Sequence, residues 1–319
     1  MKILLITNQS TNNLTYYNCY IEYFKKQDGN YLIYFNNENS NKSIKYFCIN
    51  NKFLPDIILI DYNYINFNIN KILLIDINFN KSIICLISHK DMMSNVIDSN
   101  IKMIKEYNIN YIFHMDCKYY YQSYNNIDLN KIYKINNHIR VFPINYGFEK
   151  NVFNINSKIT KNIDFGFSGI VSTPYNTPIN LRKNLLNRIE NICIKNNLKY
   201  NFLFNKRYST IKEYSNQLLQ TKIWIDTPTD GGHISARLWE LPLHKCVILV
   251  LEDSIYTNIL KDGVNSIIVK NDLSNLEKKI IYYMKNEIEL QKIANYAFNE
   301  FNEKHTIEQR FNYILDKLK

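Results

Sequence analysis

Glycine, proline, alanine and arginine are scarce in this sequence and together supply only 22 of its 319 residues. Asparagine, isoleucine, lysine and tyrosine are abundant instead, and their codons are rich in A and T, so we interpret the composition as that of an A/T-rich genome. The 33 lysines against 6 arginines then account for most of the formal net charge of +10. Because no basic cluster interleaved with aromatic residues stands out, the charge does not predict a dedicated nucleic-acid-binding role.

The sequence also lacks long apolar runs and clustered cysteines. No apolar run approaches the length of about 18 residues that suggests a membrane-spanning helix, and the apolar run in the opening MKILLITNQS is too short for a signal peptide. The six cysteines are scattered, without a CxxC pair or the Cys/His spacing of a metal site. We therefore expect a reducing compartment, namely the cytoplasm, or the host cytoplasm if the source is a virus.

The first half of the chain alternates short apolar runs with polar stretches. The runs are continuous rather than alternating, which is typical of strands buried on both faces of a parallel sheet. A helical spacing of apolar residues follows the fifth run and predicts a helix over 92–108. The predicted strands are 2–7, 31–35, 56–61, 72–76, 82–88 and 111–116.

The second half repeats this alternation, with clearer turn and helix-capping residues between the elements. Gly263 is expected to close a helix that starts at Ser254, and capping boxes are predicted at Ser274–Glu277 and Thr306–Gln309. Strands are predicted at 163–171, 200–205, 222–226, 246–252 and 265–270. The repeated strand–helix order predicts a second doubly wound α/β domain.

The segment DTPTDGGHISARLWELPLHKC, residues 226–246, departs most strongly from the composition of the rest. It holds six of the 22 scarce residues, and residues that resist a codon bias should be there for a physical reason. Gly231 and Gly232 lie where the strand predicted at 222–226 gives way to a helix near Ser235, which could cap it. Glycines let a ligand approach the backbone closely, and a helix N-terminus suits a phosphate.

Two charged side chains in that helix favour the same interpretation. Arg237 lies in the first turn, where a cation is unfavourable, so we expect an anion close to it. Glu240 lies one turn deeper on nearly the same face, where a carboxylate can accept both hydroxyls of a ribose. The segment thus predicts a nucleoside-diphosphate site, with His233 either as a ligand contact or as an exposed loop residue. The alternative is an i,i+3 ion pair between Arg237 and Glu240 on a surface helix.

The order of strand, GGH, SARLWE, short helix and strand, followed by ILKDGVNSIIVKNDLSNLEKKI and HTIEQRFNYIL, resembles the C-terminal domain of GT-B glycosyltransferases. It is most similar to the CgeB-like and group 1-type transferases, and IDFGFSGIVSTPYNTPINLRKNLL resembles the opening of their donor domain. The likeness covers roughly residues 140–319. It implies two Rossmann-like doubly wound α/β domains that face a cleft, with an acceptor domain at 1–150, a nucleotide-sugar donor domain at 151–303 and a C-terminal helix at 304–319 that packs back on the N-terminal domain.

The resemblance also implies roles for single residues. Arg237 and Glu240 match the R-x-x-E helix that faces the donor nucleotide. Gly169 would be the glycine of a turn near the diphosphate, and Arg182 the early helix arginine, a role that Lys183 could also fill. Independently of the resemblance, Lys206 and Arg207 follow the strand predicted at 200–205 and could contact the diphosphate or form a solvated loop pair. The predicted donor-binding residues are Gly169, Arg182, Lys206, Arg207, Gly231, Gly232, His233, Ser235, Arg237 and Glu240.

The sequence departs from the family's pattern at two positions. Gly232 stands where many retaining enzymes carry an acid, eight residues before Glu240, so the stereochemistry of transfer stays open. Lys245 stands where many relatives carry glycine. A lysine in the left-handed conformation would cost on the order of 1 kcal/mol, so we expect the helix to end differently here. No convincing D-x-D metal motif occurs, which favours transfer without a metal or other cofactor.

An inverting enzyme would need a general base on the N-terminal domain to deprotonate the acceptor hydroxyl. His89 and Asp91 rank first as catalytic residues because they directly follow the apolar run SIICLIS. Asp91 could instead cap the next helix. The other candidates at strand ends are Asp61, His114 and Asp116.

We therefore predict a hexosyl-type glycosyltransferase that moves a sugar from a nucleotide-diphosphate donor to an acceptor hydroxyl. Its partners would be a nucleotide sugar and a glycan, protein or small-molecule acceptor, without a specific nucleic acid. Two alternatives stay open. One is a catalytically inactive GT-B-fold protein that binds nucleotides or glycans, and the other, less favoured, is a basic nucleic-acid-binding protein.

Overall fold

The computed structural model divides the chain into two compact units. The first comprises Met1–Asn12, Tyr20–Asn145 and Ile314–Lys319, and the second comprises Asn13–Cys19 and Tyr146–Tyr313. The formal charge of +10 divides evenly between them, +5 in each. The structure describes residues 1–7, 15–27, 29–35, 43–61, 76–77, 81–88, 107–115, 138–153, 159–171, 178–206, 208–227, 234–256 and 259–319.

A six-stranded parallel sheet forms the first unit, in the order β2-β1-β3-β4-β5-β6. Its central strands are continuous apolar runs and are buried, as expected for strands covered on both faces. Pro143 lies in β6 at the edge of the sheet, where a missing backbone N–H costs least. The elements are β1 (Ile3–Thr7), α1 (Thr15–Lys25), β2 (Tyr31–Phe35), α2 (Ile44–Asn50), β3 (Ile57–Asp61), β4 (Ile83–Ser88), β5 (Tyr111–Met115) and β6 (Arg140–Ile144).

A five-stranded parallel sheet forms the second unit, in the order β11-β10-β9-β7-β8. Its strands are β7 (Ile163–Gly169), β8 (Tyr200–Phe204), β9 (Thr221–Ile225), β10 (Val247–Leu251) and β11 (Ser266–Val269). Its helices are α3 (Pro178–Lys195), α4 (Ile211–Gln220), α5 (Arg237–Glu240), α6 (Leu276–Lys285), α7 (Glu287–Lys304) and α8 (Ile307–Leu318), of which α8 ends in the first unit. The predicted strand–helix alternation in two parallel α/β sheets is confirmed.

Gly166 fixes the packing of β7 against β9. A Cβ atom at Gly166 would lie 2.6 Å from Cζ3 of Trp224 and 2.9 Å from Cγ2 of Thr221. The wholly buried indole of Trp224 therefore occupies the space that any side chain at this position would need. This is a steric reason for one of the seven glycines of the chain.

The structure tests three predictions about local structure, namely the helix from Ser254 to Gly263 and the two capping boxes. The helix expected from Ser254 to Gly263 is wrong, because the described part holds only a 3-10 helix, Ser254–Tyr256. The side chain of Asn265 bonds to the carbonyl of Ile259 and the N–H of Lys261, and so competes with helical hydrogen bonds.

Of the two capping boxes, the second is confirmed and the first is wrong. Thr306 accepts from the N–H of Gln309 at 3.3 Å, and the Gln309 side chain accepts from the N–H of Thr306 at 3.1 Å. In contrast, α6 begins after Asn275, whose side chain makes no capping bond and instead accepts from the N–H of Lys270. The N–H of Ser274 donates to Asp272 rather than to Glu277. The N-cap is therefore one residue later than the sequence pattern predicted.

The strand predicted at 72–76 and the helix predicted at 92–108 fall almost entirely outside the described residues. Within the described ranges, no helix is both long and apolar enough to cross a membrane. The same ranges contain no cluster of three or more His, Cys, Asp or Glu side chains that could hold a metal ion.

Candidate functional site

Asp226 lies directly after β9, at the carboxyl end of the second sheet, and its side chain is buried. Its backbone N–H donates to the carbonyl of Leu249 on β10 at 2.9 Å. The hydroxyl of Ser235 donates to Oδ1 of Asp226 at 2.7 Å, whereas Oδ2 has no hydrogen-bond partner among the described residues. Burial raises the pKa of this carboxyl above its ordinary value, and the nearby Arg237 and the Ser235 hydroxyl oppose that rise. The strand end thus carries a buried acid.

The helix that follows is a single turn, α5, with Ala236 as its N-cap and no side-chain capping bond. The prediction that Ser235 caps this helix is wrong, because the Ser235 hydroxyl donates to Asp226 instead. Four helical residues also sum to only a small macrodipole. A helix this short therefore does little to favour an anion at its N-terminus.

Arg237 supplies the cation of the site. Its Nη1 lies 3.8 Å from Oδ1 of Asp226, and its guanidinium lies over the ring of Phe167, 5.9 Å from the centroid. Burial by itself lowers the pKa of this guanidinium, but interactions with Tyr214, Asp226 and Glu240 raise it above its ordinary value. The side chain is still 23% exposed. The anion that the structure places close to Arg237 is the buried Asp226, and a ligand anion at this position stays a prediction.

Glu240 lies deeper than Arg237, with only 5% of its surface exposed. The alternative of a surface ion pair between Arg237 and Glu240 is therefore wrong. The hydroxyl of Tyr214, on α4, donates to Oε2 of Glu240 at 2.9 Å. Burial raises the pKa of the Glu240 carboxyl to about 7, although the Tyr214 hydrogen bond and Arg237 act in the opposite direction. This carboxyl is thus poised to change charge near neutral pH.

Gly169 ends β7 beside Arg237. Its φ is +152°, and a Cβ atom there would lie 3.3 Å from Cζ of Phe167 and 3.7 Å from Nη2 of Arg237. A side chain at this position would be strained and would approach the guanidinium. Asn205 holds this strand end, because its N–H donates to the Gly169 carbonyl at 2.8 Å. The structure therefore brings the predicted Gly169 and Arg237 together.

Arg182 is buried near the start of α3 and bonds to the protein itself. Its Nε donates to Oγ1 of Thr227 at 2.5 Å, and Nη1 donates to the carbonyl of Ile170 at 2.7 Å. These bonds join the chain after β7 to the chain after β9. Lys206 lies exposed just beyond β8. Contact of either residue with a diphosphate stays a prediction.

Several predicted residues fall where the structure gives no description. Among the donor-binding residues these are Arg207, Gly231, Gly232 and His233. Both catalytic candidates, His89 and Asp91, also lie outside the described residues, and so does Asp116. The side chains of Asp61 and His114, at the ends of β3 and β5, are likewise not described. The general base therefore stays a sequence prediction.

Lys245 corrects the expectation about the end of the helical segment. It adopts the left-handed conformation, with φ 49° and ψ 36°. Its N–H donates to the carbonyl of Pro242 at 2.9 Å, and the N–H of Cys246 donates to Leu241 at 3.2 Å, which is the Schellman pattern. The segment thus ends as it would with glycine, and the exposed lysine Nζ lies 5.1 Å from the ring centroid of Phe298.

Trp239 holds α5 in place through contacts with other rings. It is buried, and its ring lies 4.9 Å from that of His305 and 5.8 Å from that of Phe301. The guanidinium of Arg310 lies 5.4 Å from the Trp239 ring and donates to Nδ1 of His305 at 2.5 Å. Because Trp239 lies between Arg237 and Glu240 in sequence, this packing fixes the turn that carries both.

Sequence reasoning did not identify Tyr214 or Asp226 as parts of the site. Tyr214 is one of 26 tyrosines, so its residue type carried no signal against the composition. Asp226 was detectable as an acid at the end of a predicted strand, but its burial and its bond to Ser235 appear only in three dimensions.

A family model matches one part of the chain. Residues 197–316 match the family described as glycosyl transferase-like. This range includes Arg237 and Glu240 but not Gly169 or Arg182. No curated protein matches the sequence. The narrower CgeB-like assignment stays a prediction.

Solved structures resemble the chain over most or all of its length. HepE from Anabaena, in complex with UDP and glucose, is 11% identical with a TM-score of 0.58, and the match covers 100% of this chain and 99% of HepE. An alpha-glucosyltransferase in complex with UDP-glucose and DNA containing an abasic site is 9% identical with a TM-score of 0.65 and the same coverage. Sucrose-phosphate synthase from Thermosynechococcus elongatus is 8% identical with a TM-score of 0.52, covering 86% of this chain and 76% of the synthase. The chain therefore has the GT-B fold of glycosyltransferases, and its residues 197–316 form a glycosyl transferase-like segment.

Proposed function

We propose that the protein transfers a sugar from a nucleotide-diphosphate donor, and that its second unit binds the donor around Arg237. The observation that carries the proposal is the placement of this guanidinium. The buried Asp226 holds one side of it, Gly169 leaves space beside it, and 23% of the side chain is exposed. A fixed, partly exposed guanidinium of this kind suits a phosphate oxygen.

The electrostatics of the cluster support an anionic ligand. Arg182 and Arg237 carry two positive charges, and Asp226 carries one negative charge when ionised. Glu240, with a pKa of about 7, adds at most a fraction of a charge below neutral pH. A diphosphate would therefore meet a net positive environment. Charge stabilisation of the leaving diphosphate by arginine side chains would then need no divalent metal.

We further propose that Glu240 accepts a hydrogen bond from the ribose of the donor. A carboxylate is an acceptor-only group when ionised, and it suits a hydroxyl that it need not share with water. The structures of HepE and of the alpha-glucosyltransferase contain UDP or UDP-glucose. Uridine diphosphate sugars are accordingly the first donors to test.

Binding of UDP to an Arg237→Lys variant tests the proposal directly. Lysine keeps a positive charge beside Asp226, so the fold is retained, but it loses the planar donor geometry of the guanidinium. We expect the affinity for UDP to fall about tenfold or more, the equivalent of one hydrogen bond to a charged group. Isothermal titration calorimetry gives the dissociation constants, with GDP and ADP as alternative nucleotides.

Arg188→Lys is the matched control, because Arg188 lies exposed on α3 in the same unit. Equal affinities of the wild type, Arg237→Lys and Arg188→Lys for every nucleotide would contradict the site assignment. Turnover of UDP-glucose in the presence and absence of EDTA then tests the metal-independent mechanism. Tight binding without any hydrolysis or transfer to glycan, protein or DNA acceptors would favour the inactive binding protein instead.

A further inference from the structure

Tyr214 is the point at which the two charged residues of the candidate site meet. It comes from α4, whereas Arg237 and Glu240 belong to α5. Its hydroxyl donates to Oε2 of Glu240 at 2.9 Å, and a side-chain hydrogen bond with Tyr214 helps to raise the pKa of Arg237. One hydroxyl therefore interacts with both the cation and the carboxylate.

The ring of Tyr214 is held in place by aromatic contacts. It lies edge-on to Trp224, with ring centroids 6.2 Å apart, and 5.9 Å from the ring of Tyr208. The start of α4 is fixed by a capping box in which Thr210 and Glu213 bond reciprocally. The hydroxyl is thus carried by a rigid element, and removal of the hydroxyl alone leaves the ring packing intact.

Ser215, the residue after Tyr214, connects the backbone of Glu240 to α4 through His244. The Nδ1 of His244 lies 2.9 Å from the carbonyl oxygen of Glu240, and its Nε2 lies 2.8 Å from the hydroxyl of Ser215. Burial lowers the pKa of His244 to about 4, so the ring is neutral near pH 7. A neutral ring must then donate from Nδ1 to the carbonyl and accept at Nε2 from Ser215.

Two successive residues of α4 therefore hold one glutamate by separate routes. Tyr214 bonds to the carboxylate, and Ser215, through His244, bonds to the backbone. We propose that Tyr214 is the positioning residue of the donor site, because its hydroxyl orients the Glu240 carboxylate and the Arg237 guanidinium toward the nucleotide. This inference rests on the proposed donor site, but the coupling of Tyr214 to Glu240 can be measured in the protein without ligand.

The pH dependence that a test measures reflects the charged and titratable groups around the Glu240 carboxyl. Among the described residues, those that shift its pKa are Tyr214 on α4, Arg237 on α5 itself and Asp226 at the end of β9, and His244 contacts the Glu240 carbonyl. Loss of a hydrogen bond to a charged carboxylate shifts its titration upward by about one pH unit. Between about pH 7 and 8 His244 is already neutral, so it adds nothing to the change in this window.

The test is Tyr214→Phe, measured first without ligand. The free energy of unfolding is determined in urea at half-unit steps from pH 5 to 9 for the wild type and the variant. Because the Tyr214 hydroxyl stabilises the ionised Glu240, we expect the variant to lose further stability between about pH 7 and 8, where the wild type has become flat. Ser215→Ala is the matched control. It breaks only the backbone route, so it should lower stability by the same amount at every pH in that window.

The second readout is the affinity for UDP-glucose, whose diphosphate is esterified at both ends and does not titrate near neutral pH. Ionised Glu240 accepts from the ribose but also cancels part of the positive charge that favours the diphosphate, so we expect the affinity of the wild type to change with pH as Glu240 ionises near pH 7. The midpoint of that change should move up by about one unit in Tyr214→Phe. Tyr296→Phe, an exposed tyrosine on α7, should match the wild type.

An unchanged pH profile of stability in Tyr214→Phe would overturn the inference, whatever the ligand data show. A shifted stability profile without any binding of UDP-glucose by the wild type would instead leave the coupling of Tyr214 to Glu240 standing and reject the donor site. The two failures are therefore distinguishable.

Discussion

The free energy of unfolding should depend on pH through Glu240, and Glu240→Gln should remove that dependence. The carboxyl has a pKa of about 7 in the folded protein, against an ordinary value of 4.5. Between these values the folded state binds more protons than the unfolded state, so stability falls as the pH rises. A difference of about 2.5 units at about 1.4 kcal/mol per unit corresponds to about 3 kcal/mol.

Other groups change the wild-type profile in the opposite direction. Burial lowers the pKa of His244 and of His305 to about 4, so the unfolded state binds more protons between about pH 4 and 6.5. Their effect is a rise in stability with pH over that range. The raised pKa of Asp226 acts in the same direction as that of Glu240. The raw profile of the wild type is therefore not diagnostic, whereas the difference between wild type and Glu240→Gln isolates one residue.

Urea denaturation followed by tryptophan fluorescence suits this measurement. Both tryptophans of the chain, Trp224 and Trp239, are buried in the second unit, so the signal reports the unit that contains Glu240. The stability of Glu240→Gln relative to the wild type should increase by about 3 kcal/mol from pH 4.5 to 7. Glu308→Gln, an exposed glutamate on α8, should show no such trend. A flat difference for Glu240→Gln would refute the assignment of a buried, neutral-prone carboxyl.

Two further substitutions test the packing around the site. Gly166→Ala should destabilise the second unit by about 1–3 kcal/mol, because its Cβ atom would overlap the Trp224 ring; a urea midpoint equal to that of the wild type would contradict this packing. Lys245→Gly should be more stable than Lys245→Ala by about 1 kcal/mol, since only glycine relieves the left-handed conformation. Comparison of the two variants cancels the loss of the lysine side chain, and equal melting temperatures would count against the strain.

The architecture could be predicted from the sequence because parallel strands leave a strong signal. The cores of two runs, ILLI at 3–6 and CVILVL at 246–251, are apolar at every position, and both became buried strands of parallel sheets. Local boundaries were less predictable where side chains compete for backbone groups. Asp272 takes the N–H of Ser274, and Asn265 bonds to the loop before β11, so a capping box and a helix did not form where the pattern favoured them.

The candidate site was predictable only where its residues stood out from the composition. Arg237 is one of six arginines, and its position in a first helical turn required a nearby anion. The structure supplies that anion as Asp226, which the sequence offered only as one of many acids. Tyr214 could not be predicted as a site residue, because tyrosine is common in this chain. A biased composition therefore sharpens the signal of scarce residues and hides that of abundant ones.

Scarcity alone does not separate binding residues from structural ones. Gly147 and Arg310 also resist the codon bias, yet they serve packing: a Cβ atom at Gly147 would lie 2.8 Å from Cα of Ile307, and Nε of Arg310 donates to the carbonyl of Tyr146 at 3.1 Å. Arg182 likewise bonds to the protein's own carbonyl and hydroxyl groups. Arg237 differs from these because a buried acid fixes it while part of its side chain remains exposed. Scarcity thus indicates a physical constraint, and the exposed charge beside Asp226 is what indicates a ligand.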